Sequence, residues 1–65
     1  MFVVVNGCEH QIPEPQNLAE LLARLLPPSP FAVARNEEFV PLGSYQVCLL
    51  CSGDRIEIVH PMAGG

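Results

Sequence analysis

The chain has 65 residues and a formal net charge of −4, with 49% apolar and 15% charged residues. This length allows one domain and excludes folds built from several βαβ units, and the acidic balance argues against nucleic-acid partners. The apolar content argues against disorder. The sequence has neither an apolar run of ~18 residues nor a secretory signal, so we expect a cytoplasmic protein without a membrane partner.

The first predicted element is a β-hairpin. Residues 2–5 form a β-branched and aromatic run that is typical of a strand. Asn6-Gly7 follows, and this pair is typical of a tight type I′ turn. Residues 8–12 are then the return strand, which the prolines at 13 and 15 end.

The clearest element is a short amphipathic helix. Asn17 is a good N-cap, and Glu20 three residues later completes a capping box. Five leucines at helical spacing share one face and are predicted to be core. These are Leu18, Leu21, Leu22, Leu25 and Leu26. Pro27-Pro28 ends the helix at Leu26 at the latest.

The second half of the chain predicts further strands. Residues 31–35 read as a strand with Phe31 and Val33 on one side, and residues 39–40 as a short strand after a polar turn. Residues 42–45 are irregular or a single helical turn, and the apolar run 47–50 has no clear type. Residues 55–59 alternate cleanly, which places Ile56 and Ile58 inward.

The order of elements favours one fold class. The first and last strands are both strongly apolar, so both need central positions in a sheet, and the helix must cover that sheet. We predict an α+β, β-grasp (ubiquitin-like) fold: a mixed sheet of four or five strands with one main helix across one face. Residues 1–65 form a single domain with a flexible C-terminal tail, 61–65. Another small α+β sandwich is the alternative.

The sequence ends in Gly64-Gly65, directly after the predicted final strand. Two terminal glycines are often only a frayed end. Without side chains, however, they can thread a narrow channel and allow close approach of a partner's backbone. The Gly65 carboxylate is then the reactive group, which needs activation as an acyl adenylate because a carboxylate is a poor electrophile. So small an apolar chain also favours a binding module over a free-standing enzyme.

The whole chain resembles the ThiS family, the sulfur carriers of thiamine biosynthesis. The resemblance runs in order through FVVVNG (2–7), the helix leucines, VARNEEFVP (33–41), GDRIEIV (53–59) and the terminal GG. Its most specific part is Gly-Asp before the last strand combined with the diglycine end. Two segments depart from the family pattern: 60–63 is less apolar and less β-prone than usual, and Pro13-Glu14-Pro15 is unusual.

The resemblance implies a protein cosubstrate, with Gly65 as the modified residue and Gly64 as its access path. It implies that a ThiF-type enzyme adenylates the Gly65 carboxylate with ATP and magnesium, so the carrier itself needs no bound cofactor or metal. A cysteine desulfurase or other donor then supplies the sulfur of a thiocarboxylate. A ThiG-type thiazole synthase receives that sulfur.

Two related functions stay open. One is the small subunit of molybdopterin synthase or the sulfur carrier of another pathway, although those subunits tend to be longer. The other is a ubiquitin-like modifier conjugated to proteins through Gly65. The chain contains no lysine, so it cannot build lysine-linked chains on itself.

Cys48-x-x-Cys51 offers a different class of function, a zinc or redox site. Tetrahedral zinc needs two more ligands, and the spacing of Cys8, His10 and His60 matches no known arrangement. We expect packed or half-buried thiols, no metal, and histidines at the surface or at strand ends.

Overall fold

The computed structural model describes residues 1–61 and contains a five-stranded sheet, one α-helix and one 3₁₀ turn. The strands are β1 (Phe2–Val5), β2 (Cys8–Gln11), β3 (Ala32–Arg35), β4 (Glu38–Val40) and β5 (Arg55–Val59). The helix α1 spans Leu18–Leu25, and the 3₁₀ turn spans Leu42–Ser44. Gly64 and Gly65, with most of the predicted tail 61–65, lie outside the described residues.

The sheet has the order β2-β1-β5-β3-β4. β5 runs parallel to β1 and antiparallel to β3, while the β1–β2 and β3–β4 pairs are antiparallel hairpins. The prediction of central positions for the first and last strands is therefore confirmed. A mixed sheet with a single α-helix confirms the β-grasp class.

Two hairpin turns use left-handed backbone conformations. Asn6 and Gly7 have φ values of 49° and 84°, which confirms the predicted type I′ turn. Asn36 and Glu37 make the corresponding turn between β3 and β4, with φ values of 50° and 72°. Glu37 therefore occupies a position that favours glycine, and the sequence pattern did not mark it as a tight turn.

The capping box predicted for α1 is present. The Asn17 side chain accepts a hydrogen bond from the Glu20 N–H at 2.8 Å, and the Glu20 carboxylate accepts one from the Asn17 N–H at 2.9 Å. At the other end the prediction was wrong for Leu26, which is 78% exposed rather than core. Leu26 adopts a left-handed conformation, φ 50°, because the following proline disfavours a helical residue before it. The chain leaves the helix there and the side chain turns away.

The core lies between α1 and one face of the sheet. Leu21 and Leu22 are buried and Leu25 is half-buried, as the helical spacing predicted. Alternate strand positions meet them, and loop residues Ile12 and Leu50 complete the cluster. The buried strand residues are Val3, Val5, Val33, Val40, Ile56 and Ile58. Across residues 1–61, no helix has the length and apolar content to cross a bilayer.

The apolar run 47–50 is a loop held against the start of α1. Leu49 pairs with Asn17 in an isolated antiparallel bridge. The Leu18 N–H donates to the Cys48 carbonyl and the Leu50 N–H donates to the Gln16 carbonyl, each at 2.9 Å. Extended backbone directs Leu50 into the core and leaves Leu49 59% exposed.

Candidate functional site

The end of β5 is held on both of its edges. On one side the strand pairs with β3 up to the Ala32–Val59 pair. On the other side, the backbone of β1 pairs with β5 only as far as Ile56. Beyond that point the Asn6 side chain makes the hydrogen bonds that a paired strand would make. Its amide donates to the Ile58 carbonyl at 3.2 Å and its oxygen accepts from the Ile58 N–H at 2.8 Å. The last strand before the predicted tail is therefore a fixed base.

The sheet face away from α1 carries an apolar area, here called the outer face. It consists of Ala32 and Ala34 on β3, Phe39 on β4, and Glu57 and Val59 on β5. The register makes these residues neighbours, since Ala34 lies between Phe39 and Glu57, and Ala32 lies beside Val59. Phe39 is 69% and Val59 is 55% exposed. An exposed apolar surface thus extends to the end of the strand that leads to the tail.

A partly buried ionic network joins the turn before β5 to β3. The Asp54 carboxylate accepts hydrogen bonds from Arg35 Nε at 2.9 Å, Asn36 Nδ2 at 3.0 Å and the Cys51 N–H at 2.8 Å. Burial alone would raise the pKa of Asp54, but the Cys51, Asn36 and Arg35 hydrogen bonds and the Arg35 charge outweigh it and hold that pKa below its ordinary value. Burial would likewise lower the pKa of Arg35, and Asp54 raises it above its ordinary value. These contacts fix the position of the turn that precedes β5.

The two cysteines of the C-x-x-C motif lie beside this network. Arg35 Nη1 is 3.8 Å from the Cys48 sulfur, and Nη2 is 3.7 Å from the Cys51 sulfur. Cys48 is half-buried and packs on the core, as expected of a packed thiol, whereas Cys51 is exposed. The Arg35 guanidinium thus lies within hydrogen-bonding distance of both sulfurs.

The remaining metal-ligand candidates do not join the cysteine pair. Cys8 and His10 lie on β2, an edge strand of the sheet, and His60 follows β5. Within residues 1–61 no group of three or more His, Cys, Asp or Glu side chains could hold a metal ion.

Sequence reasoning missed the structural roles of four residues that organise this region. Arg35 and Asp54 meet because β3 pairs with β5, and nothing local in the sequence marks that pairing. Asn6 and Asn36 were recognisable only as turn residues, yet each also uses its side chain to bind the backbone of β5. One sequence signal was available: asparagine is the first left-handed residue of both turns. Its amide can donate and accept hydrogen bonds, so it can bind the backbone of a neighbouring strand.

Comparisons with known proteins agree on one family. The family model described as the ThiS family matches residues 3–65. The crystal structure of a thiamine biosynthesis protein (ThiS) from Geobacter metallireducens is 28% identical with a TM-score of 0.87, and the match covers 100% of both chains. The NMR solution structure of a thiamine biosynthesis protein from that organism is also 28% identical. Its TM-score is 0.79, covering 100% of this chain and 88% of that one. A search of curated proteins gives no significant match. The chain therefore belongs to the ThiS family, the small ubiquitin-like sulfur carriers of thiamine biosynthesis.

Proposed function

We propose that the chain carries sulfur as a thiocarboxylate on Gly65, and that it acts as a protein cosubstrate rather than an enzyme. The observation that carries this proposal is the fixed end of β5, which is held by β3 and by Asn6 only a few residues before the diglycine. A rigid base with side-chain-free residues beyond it suits delivery of a terminal carboxylate into a narrow enzyme channel.

The proposed chemistry activates and then replaces one carboxylate oxygen. A Gly65 oxygen attacks the α-phosphate of ATP, bound with magnesium in a ThiF-type enzyme, and pyrophosphate leaves. A sulfur donor such as a persulfide supplied by a cysteine desulfurase then attacks the acyl carbon, and AMP leaves with the original oxygen. This leaves an acyl disulfide between the carrier and the donor. A second thiol then attacks the donor's sulfur, so that a disulfide forms on the donor side and the S–S bond to the carrier breaks. The thiocarboxylate is released with both electrons of that bond, and its sulfur passes to a ThiG-type thiazole synthase. All catalytic groups belong to the partners, and the carrier contributes the reacting carbon.

The outer face is the proposed contact with the adenylating enzyme. Its exposed apolar residues include Phe39 on β4 and Val59 at the end of β5, so one partner surface can contact the outer face and the tail together. Glu57 lies among them, and the net charge of −4 favours a partner with basic residues around an apolar groove. The free thiols of Cys8 and Cys51 are exposed, which suits the reducing cytoplasm.

The test of the proposed site is intact-mass spectrometry of the chain after incubation with a ThiF-type enzyme, ATP, magnesium and a sulfur donor. We expect pyrophosphate release and exchange of one oxygen for sulfur in the wild type, and neither in a chain lacking Gly65. Gly64→Val should also block the reaction, because a β-branched side chain would obstruct a channel sized for bare backbone. Equal modification of the Gly65-deleted chain would refute the proposal.

A matched pair of variants tests the proposed contact surface. Phe39→Ala removes an apolar side chain of the outer face, and we expect a higher KM for the carrier with little change in kcat. Leu42→Ala removes a side chain that is 78% exposed but lies in the 3₁₀ turn rather than on the sheet, so it should leave both constants unchanged. An equal rise in KM for both variants would contradict docking through the outer face.

The product distinguishes the remaining functions. A thiocarboxylate that a thiazole synthase consumes supports the thiamine pathway, and one used only by a molybdopterin synthase supports the related carrier. An amide bond between Gly65 and another protein's amine would select the modifier instead.

A further inference from the structure

His60 connects the end of β5 to the loop that follows α1. Its Nδ1 atom lies 3.1 Å from the Pro30 carbonyl oxygen. Its ring meets the Phe31 ring edge-on, with centroids 6.4 Å apart and an interplanar angle of 73°. The strand register explains the meeting: Ala32 pairs with Val59, and one further step brings Phe31 opposite His60. Because a carbonyl oxygen only accepts, this contact is a hydrogen bond when Nδ1 carries the proton.

Both partners of this contact are conformationally restricted. The acceptor belongs to the segment 27–30, in which three of four residues are proline with φ fixed by the ring. Pro61 follows His60 and disfavours right-handed helical backbone at His60. The side chain and the backbone of His60 are thus both constrained where the sheet ends, although the residue itself is exposed. Because His60 is exposed, its two contacts contribute little to the packing of the hydrophobic core.

We propose that His60 is a positioning residue that sets the direction in which the chain leaves the sheet toward Gly65. This inference rests on the proposed function, because the direction matters only if Gly65 must reach a partner's active site. It also accounts for the segment that departs from the family pattern, since the His60 side chain performs by hydrogen bonding what a more β-prone sequence would perform by strand pairing.

The proposal separates two properties of the carrier. The outer face determines how tightly the carrier docks, and the His60 contact determines how often the docked carrier presents Gly65 correctly. Loss of the contact should therefore lower kcat and leave KM unchanged, because orientation is lost without loss of docking surface. Losing one hydrogen bond and one ring contact corresponds to a fall of about three- to ten-fold in kcat.

Four variants and one spectrum test the proposal. Kinetics of pyrophosphate release, with the carrier as varied substrate, are measured for His60→Ala, His60→Phe and His60→Asn. Asparagine keeps an N–H donor near the Nδ1 position, and phenylalanine keeps only the ring. His10→Ala is the matched control, because it removes the other histidine, on β2. A long-range ¹H–¹⁵N spectrum at pH 8 reports the tautomer of His60 without any partner enzyme.

We expect His60→Ala to lower kcat with KM within about two-fold of wild type, His60→Phe to recover part of the loss, and His60→Asn to recover most of it. His10→Ala should be neutral, all variants should unfold at nearly the wild-type temperature, and the Nδ1–H tautomer should predominate. Normal kcat in His60→Ala, failure of His60→Asn to rescue, or an Nε2–H tautomer would each overturn the proposal while leaving the proposed function intact. A wild-type chain that is not adenylated at all would refute both together.

Discussion

The buried carboxylate of Asp54 gives the sharpest stability prediction. Asp54→Asn keeps the shape of the side chain and removes its charge. Asn36 cannot rotate its amide to compensate, because its oxygen already accepts the Arg55 N–H at 2.8 Å. One of the three hydrogen bonds to Asp54 must therefore be lost, and the others lose their charge assistance.

The size of the effect follows from these contacts. Hydrogen bonds to charged groups contribute roughly 1.5–3 kcal/mol each, and neutral ones about half of that. Arg35 is partly exposed, with 28% of its side chain accessible, so its contribution is reduced by solvent screening. We expect Asp54→Asn to lower the free energy of unfolding by about 2–3 kcal/mol. A chain of this size has only about 3–10 kcal/mol in total.

The assay is urea unfolding followed by circular dichroism between pH 3 and pH 7. The folded-state pKa of Asp54 lies below its ordinary value of about 3.9, so its charge stabilises the fold above that pH. This stabilisation is lost as the pH falls through the lower, folded-state pKa. The difference between wild type and Asp54→Asn should therefore be full at pH 7 and shrink below about pH 4.

A second ion pair provides the control. Arg55 Nη2 and the Glu37 carboxylate are 3.9 Å apart, with side chains that are 66% and 80% exposed. Glu37→Gln should change the free energy of unfolding by less than about 0.5 kcal/mol at every pH. If Asp54→Asn costs no more than this control, or if its effect is the same at pH 3 and pH 7, the assigned role of Asp54 is wrong.

Three further predictions test the core, a turn and the cysteines. Leu22→Ala should lower the free energy of unfolding by about 2–4 kcal/mol, whereas Leu26→Ala, at the exposed helix end, should change it by less than about 0.5 kcal/mol; equal effects in urea unfolding would contradict the packing of α1. Glu37→Gly should raise the unfolding temperature by about 2–4 °C, because it relieves a left-handed residue at φ 72°, and a lower temperature would refute the assigned strain. The wild-type chain should bind no stoichiometric zinc, and changing Cys48 and Cys51 together to serine should leave thiocarboxylate formation intact. One zinc per chain in elemental analysis, or complete loss of transfer in a folded variant, would refute the interpretation that these cysteines have no role in metal binding or sulfur transfer.

Local patterns in the sequence predicted most of the fold. The leucine spacing, the Asn17 cap, the Asn6-Gly7 turn and the alternation in 55–59 each depend on residues close in the chain, where periodicity and turn preference are reliable guides. The sheet order followed because two strongly apolar strands both required burial. Leu26 was mispredicted because the spacing of leucines does not reveal the backbone reversal that Pro27 imposes.

The candidate site was less predictable because it depends on register. Arg35 and Asp54 are 19 residues apart, and Asn6 and Ile58 are 52 residues apart. Such contacts exist only once β5 pairs with β3 and lies beside β1, and no local pattern encodes which residues then face each other. The proposed roles of Gly64 and Gly65 rest on chemical reasoning alone, because they depend on the absence of side chains and on the terminal carboxylate rather than on contacts within the fold.

The position of β5 in the sheet has a consequence for biosynthesis. β5 lies between two hairpins that do not otherwise pair, so before it emerges from the ribosome the chain consists of two separate pairs of strands. Isolated hairpins are marginal in water, and closing a sheet between distant segments is slow. A chain interrupted before β5 therefore leaves an incomplete sheet that proteases can recognise, and its outer face lacks the strand carrying Glu57 and Val59. Folding thus makes the proposed docking surface depend on translation through β5: on a chain interrupted earlier that surface is incomplete, and we expect weaker binding to a partner enzyme.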